Sequence, residues 1–392
     1  MTTPDFVPFL RANTDETNFK SFYADAPFVR VCLDKKTLLG KLPPKQKLWL
    51  DIGLDGIANA CPFDANSAWS VYMHRHGNLS CLVDPTFLAQ PARAKIEEPI
   101  TALIQDAAKH NPAYLSVPQL PHEDGVKHNK INKMLAEIAA DWRKKQSSTQ
   151  LILPVIFTNQ AQLNTKSPRT KTLKFVHTLM VKHGIDAVWS VDSTLEDQLG
   201  TQNFERVRFT GIVDFWDELH ALASPELTIC GPYWGLGLVL WARGLVTHFG
   251  IGLGSTYRYY SPGAGIPNKA KARIAVESLR RWISATPGLA EWLQSAQAKL
   301  PPGAPAQAEF QALAKSLPNY FDSEVAKRQI TQGYRKWIDK IMASPPTGRS
   351  VALYQDLSAA FVTGKMLPDL PDEVGYARRP ERVAEQLMLN CL

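Results

Sequence analysis

Cysteine is scarce in this chain. Its five thiols, Cys32, Cys61, Cys81, Cys230 and Cys391, include no CxxC or other close pair. Such spacing gives neither a zinc knuckle nor a disulfide framework, so reduced thiols and no metal are expected. Long hydrophobic runs are absent too: nowhere do the roughly 18 uncharged apolar residues of a membrane-spanning helix follow one another. The opening residues, MTTPDFVPFLRANTDETNFK, carry acidic groups early and no unbroken apolar core of a secretory signal. A cytoplasmic protein without a membrane partner is the expectation. No Walker motif, GxSxG elbow or recognisable Ser-His-Asp order is present, and the GLG of GIGLGS lacks the remainder of a dinucleotide fingerprint. No cofactor is expected.

With 45% apolar and 21% charged residues, the composition is that of an ordinary folded protein. A length of 392 residues suits one large domain with an appendage. Against 37 Asp and Glu stand 44 Lys and Arg, a formal charge of +7. That excess is compatible with an anionic partner such as nucleic acid and equally with a solvated surface, and clustering of the cations decides between them.

Short runs rich in β-branched and aromatic residues alternate with helical stretches, the pattern of parallel strands joined by crossover helices. The runs are KLWLDIGLDG (47–56), AYLSVPQLP (113–121), LILPVIFTNQ (151–160), AVWSVDS (187–193), LTICGPYW (227–234) and HFGIGLGS (248–255). In the helical stretch 128–145, Ile131, Leu135, Ile138 and Trp142 form one apolar stripe. The stretch 169–184 ends at Gly184, a good C-terminal cap, and FWDELHALA (215–223) follows as another helix. Within GPYWGLGLVLWARGLVTHFGIGLGSTYRYY (231–260), a loop, a short buried helix closed by Gly244 and the next strand make a compressed βαβ unit, and close packing accounts for its glycines.

Polar residues stand at the ends of many of these runs rather than around one switch point. This favours a TIM-like α/β barrel with two strands unread over an open doubly wound sheet. The barrel is expected over residues 1–266 and a helical C-terminal region over 267–392, where IAVESLRRWI (274–283), AEFQALAKSL (308–317), EVAKRQITQGYRKWIDKIM (324–342) and ALYQDLSAAFVTGK (352–365) have amphipathic spacing.

Asp51 and Asp192 each follow an apolar strand directly, as WLD and WSVD. In a semi-enclosed pocket such carboxyls would be drawn toward working pH, making them the general acid, base or nucleophile candidates; a buried carboxylate paired with an arginine is the alternative. Around them, Asp55, Gln119, His122, Asn159, Gln160, Ser255 and Arg258 are candidate ligand-binding residues, the amides suited to the edge of a heterocycle. Tyr233, Trp234 and Tyr257 offer rings on which a flat ligand could stack, or core packing. His122 opens HEDGVKHNK (122–130), whose spacing matches no regular metal site. Lys127, Lys130, Lys166 and Arg169 cluster near the expected barrel mouth and are the candidate phosphate contacts.

The segment ICGPYWGLGLVLWARGLVTHFGIGLGSTYR resembles the late strands of the tRNA-guanine transglycosylase superfamily, including its DNA-modifying 7-deazaguanine branch. There a glycine-rich strand end leads through a short helix to an Ala-Arg-Gly-like turn, here Ala242, Arg243 and Gly244. The similarity spans some 30 residues. THFGIG carries no counterpart of the family's aspartate nucleophile, and the cysteine-rich zinc site is absent. The resemblance implies base chemistry on a nucleic acid at a barrel mouth. The rival expectation is a non-catalytic scaffold subunit of a DNA-handling or phage-defence complex, docking a protein partner through C-terminal helices bearing Trp282, Trp292 and Trp337. A sugar or small-molecule enzyme on the same barrel is a third.

Overall fold

Near-continuous apolar runs decide the architecture, because the strands of a closed parallel sheet bury both faces. The computed structural model describes residues 5–12, 14–59, 79–122, 126–146, 148–159, 161–195, 205–223, 225–254, 257, 259, 272–373 and 375–392. Eight parallel strands close into a barrel: β1 (Phe6–Leu10), β2 (Val29–Cys32), β3 (Leu48–Asp51), β4 (Tyr114–Ser116), β5 (Gln150–Phe157), β6 (Ala187–Asp192), β7 (Leu227–Cys230) and β8 (His248–Gly252). The last strand pairs with the first, Phe6 beside Phe249 and Phe9 beside Gly252. This is the expected TIM-like barrel, and all six expected strands are in it. The two unread strands are β1, FVPFL, and β2, VRVC, whose proline and arginine interrupt the apolar signal.

The helices Val126–Gln146, Lys166–His183 and Glu205–Ala223 follow β4, β5 and β6. Ile131, Leu135, Ile138 and Trp142 are all buried, as their spacing requires. Gly184 caps the second helix with φ 60°. Between β7 and β8 the crossover helix has only seven residues, Leu236–Ala242, every one buried. Gly235, which starts it at φ 73°, sits against Trp337 and Leu387, so the turn needs both left-handed backbone and the absence of a side chain. Gly250 answers a different need: a Cβ there would stand 2.9 Å from the Phe9 ring, which fills the barrel interior. Among the described residues no helix is long and apolar enough to cross a membrane.

The C-terminal region is mainly helical, in Gly288–Lys299, Pro305–Ser316, Ser323–Met342, Arg349–Lys365 and Arg382–Met388. The stretch 274–283, expected as a helix, is instead a hairpin. β9 (Arg273–Val276) and β10 (Arg281–Ser284) pair antiparallel, with Ile274 opposite Ile283. Arg280, at φ 52°, reverses the chain, and the Gln329 side chain bonds both the N–H and the carbonyl of Ala275 at 2.7 and 2.8 Å. A helix would bury only one face; here Ile274, Val276 and Ile283 form a core with Leu289, Trp292 and Phe310. The tryptophans expected to dock a partner are only 8%, 5% and 2% exposed for Trp282, Trp292 and Trp337. Their rings pack inside the chain's own cores, and Trp282 lies on β10 rather than on a helix.

Candidate functional site

Strand parity separates the two candidate aspartates. Register places Phe9, Arg30 and Trp49 side by side across β1, β2 and β3, and Trp189 on β6 meets Trp49 with ring centroids 5.3 Å apart. These four side chains therefore share the barrel interior. Asp51 lies two residues beyond Trp49 and points the same way. Asp192 lies three beyond Trp189 and points outward, in register with Phe157, whose ring packs on Phe215 of the following helix.

Inside, the Arg30 guanidinium is enclosed by four rings, Phe9, Trp189, Tyr259 and Trp49, at 4.6, 4.8, 5.4 and 5.6 Å from their centroids. It donates to the Asp51 carboxylate in a fully buried ion pair. Its second contact is the Tyr259 hydroxyl at 3.5 Å, which donates in turn to Asp55 at 3.2 Å. Burial, with the Asp55 charge beside it, raises the Tyr259 phenol well above its ordinary value, so it stays a proton donor. Arg11 also lies over the Tyr259 ring, 5.2 Å from its centroid. The result is a connected chain, Asp51 to Arg30 to Tyr259 to Asp55, in which Asp51 ends β3, Asp55 follows it and Tyr259 comes after β8. The C-terminal end of a TIM-like barrel is where such enzymes assemble their chemistry.

Asp192 closes a turn instead. One carboxylate oxygen accepts from the Thr194 N–H and hydroxyl at 2.8 and 2.5 Å, and Arg208 of the Glu205–Ala223 helix sits 3.7 Å away. The Tyr233 hydroxyl accepts from the Asp192 N–H at 2.6 Å. Burial, with Asp192 nearby, raises that phenol as well.

The remaining expected ligand contacts divide by what already holds them. Gln119 donates to the carbonyls of Pro118 and Asn132 at 2.7 and 3.1 Å. The His122 ring meets the Thr172 hydroxyl at 2.9 Å, and His128 the Pro121 carbonyl at 2.9 Å. Trp234 and Tyr257 sit in a cluster with Tyr334 and Trp337, centroids 4.8 to 6.2 Å from Trp234, so neither offers an open face. Asn159 is exposed at the end of β5. Gln160, Ser255, Arg258 and the side chain of Lys127 lie outside the described residues.

The expected phosphate contacts do not share one environment. Arg169 is buried and ion-paired with Asp214 and Glu218 at 3.0 and 2.9 Å, so it serves the helix layer rather than a surface patch. Lys130 and Lys166 are exposed, as are Lys133, Lys171 and Lys174. The Lys166–His183 helix contains no acidic residue, and the first acid of the neighbouring Val126–Gln146 helix is Glu137. From there to the C-terminal ends the charges are matched: Glu137 with Lys182, Asp141 with Arg93, and Asp186 with Arg143. The five lysines of the N-terminal halves have no carboxylate partner among the described residues. That half of the helix layer lies at the same end of the barrel as Asp51.

Arg30, Arg11 and Arg208 escaped the sequence reading. A signal for Arg30 existed: a lone arginine inside the apolar run FVRVCL must find a carboxylate, and Asp51 was already a buried candidate.

No family model matches the sequence, and no curated protein matches it. Among solved structures it is similar to one described as a probable tagatose 6 phosphate kinase from Sinorhizobium meliloti 1021, at 14% identity over 99% of this chain and 100% of that one, with a TM-score of 0.37. Similarity at that level carries nothing over to this chain.

Proposed function

We propose that this chain is a barrel enzyme that acts on a base or nucleoside of a nucleic acid at the C-terminal mouth of the barrel, with Asp51 as the acid–base group. The observation that carries the reading is a group of exposed lysines, Lys130, Lys133, Lys166, Lys171 and Lys174, that have no carboxylate partner among the described residues and stand at the end of the barrel that holds Asp51. Phosphates held by these lysines would fix position without reading sequence, leaving recognition to the mouth. The resemblance of residues 229–258 to the transglycosylase superfamily favours the same ligand class. In this reading Arg30 fixes the Asp51 carboxylate in place, and the Tyr259 hydroxyl, turning its one proton from Asp55 to the ligand, donates to the heteroatom on which negative charge develops. Asp192 is a structural residue here, holding the loop after β6.

Fluorescence anisotropy of the full chain with duplex DNA, single-stranded DNA and transfer RNA over a salt series tests it. The expected outcome is salt-sensitive binding whose log–log slope falls by about one for each of these lysines changed to glutamine. Absence of binding at low salt sinks the reading.

A further inference from the structure

The opposite end of the barrel carries a second concave surface. At the N-terminal ends of β3, β4 and β5 lies a cavity of about 920 Å3, bounded by residues 39–40 and 42–48 on one side and by 110–114, Ser148 and Gln150 on the other. Its size is within the roughly 300–1,000 Å3 of small-molecule sites. Leu42, Pro43, Pro112 and the Tyr114 ring give it apolar patches among polar lining from Gln46, Asn111, Ser148 and Gln150, while Lys45 and Lys47 supply cations. No aspartate or glutamate lines it, and neither lysine has a carboxylate partner among the described residues.

The walls are held by bonds made within the chain. The Gln46 N–H donates to the Pro43 carbonyl at 2.9 Å and its side chain to Ala26 at 3.1 Å. Thr149 donates to the Pro112 carbonyl at 3.2 Å, and Tyr114 packs on Phe28 with centroids 4.7 Å apart. A surface fixed beforehand loses little entropy when a ligand settles on it. Apolar patches, a half-buried ring and two cations without a carboxylate partner among the described residues suit a ligand with a flat body and one anionic group.

We propose that this cavity binds a small organic anion, its body against Tyr114, Leu42 and Pro43 and its phosphate or carboxylate at Lys45 and Lys47. The proposal shares no residue with the barrel mouth and stands independently of the function assigned there.

Calorimetric titration of the full chain with adenosine 5′-monophosphate, 2-naphthoate and inorganic phosphate tests it. At least one of the two aromatic anions is expected to bind with a Kd below about 1 mM, and inorganic phosphate about tenfold more weakly or worse, for want of an apolar body. Binding of the monophosphate alone identifies the anionic group as phosphate, and of naphthoate alone as carboxylate. The K45Q/K47Q variant, altered only at exposed positions, is expected to bind about tenfold more weakly, and the K130Q/K166Q variant unchanged. No saturable binding by the unmodified chain overturns the proposal, as does binding that survives K45Q/K47Q or is lost instead in K130Q/K166Q.

Discussion

At the scale of single residues, two strand-end aspartates that look alike in sequence have opposite surroundings. WLD places a carboxylate on the side of its tryptophan and WSVD on the other, a difference written in the spacing that no residue type reveals. Both tryptophans being inward, Asp51 enters the barrel and Asp192 the helix layer. Asp51→Asn leaves the Arg30 charge buried without its partner and is expected to cost about 3 kcal/mol, much of which the R30M/D51N double variant should recover. Urea denaturation of the two variants and the parent measures both terms, and a cost near zero for Asp51→Asn would show that the pair is not coupled. His248 makes a prediction in pH. Burial holds its imidazole below the ordinary value of 6.5, so the native state prefers the neutral ring. As pH falls through 6.5 the unfolded chain takes up the proton first, and stability present above that pH is lost. His248→Phe, which keeps a ring beside Phe28, is expected to flatten this part of the stability profile, read from denaturation midpoints between pH 5 and 8.

At the scale of elements, strong periodicity was legible and interrupted periodicity was not. β5 and β6 span eight and six residues that are apolar except for Gln150 in the first and Ser190 and Asp192 in the second. β1 and β2 are shorter and carry Pro8 and Arg30, each of which argues against a strand until the barrel supplies a neighbour or a carboxylate. The hairpin over 273–284 was illegible because IAVESLRRWI satisfies helical spacing, while the Gln329 clasp comes from 45 or more residues downstream. Steric fit between elements is equally hidden. Gly364, in the Arg349–Lys365 helix, would place a Cβ 2.6 Å from the Glu381 backbone. Alanine in a helix normally gains up to about 1 kcal/mol over glycine, but here Gly364→Ala is expected to lose about 2 kcal/mol through overpacking. Thermal denaturation beside a Gly40→Ala control, where nothing lies within 4 Å, distinguishes the two effects.

At the scale of the whole molecule, the barrel and the C-terminal helices share one core. Ile330, Tyr334, Trp337, Leu353 and Leu387 belong to the same buried cluster as the strands. The Tyr334 hydroxyl also accepts from the Gly235 N–H at 3.2 Å, tying the crossover turn to the Ser323–Met342 helix. A chain ended at residue 266 is therefore expected to expose the Trp234 and Tyr257 rings and to lose cooperative unfolding, which near-ultraviolet circular dichroism and a denaturation curve would register. A sharp, native-like transition in that fragment would show the barrel to be self-sufficient.

The aromatic enclosure of Arg30 has an optical consequence. Trp49 and Trp189 stand edge to face at 5.3 Å, close enough for their excited states to couple, and a cationic guanidinium lies over both. Any ligand, proton or substitution that shifts Arg30 changes the field on two indoles at once. With eight further tryptophans in the chain, that signal is the part of an emission change lost when Trp49 and Trp189 are replaced by phenylalanine, and it is readable without knowledge of the reaction.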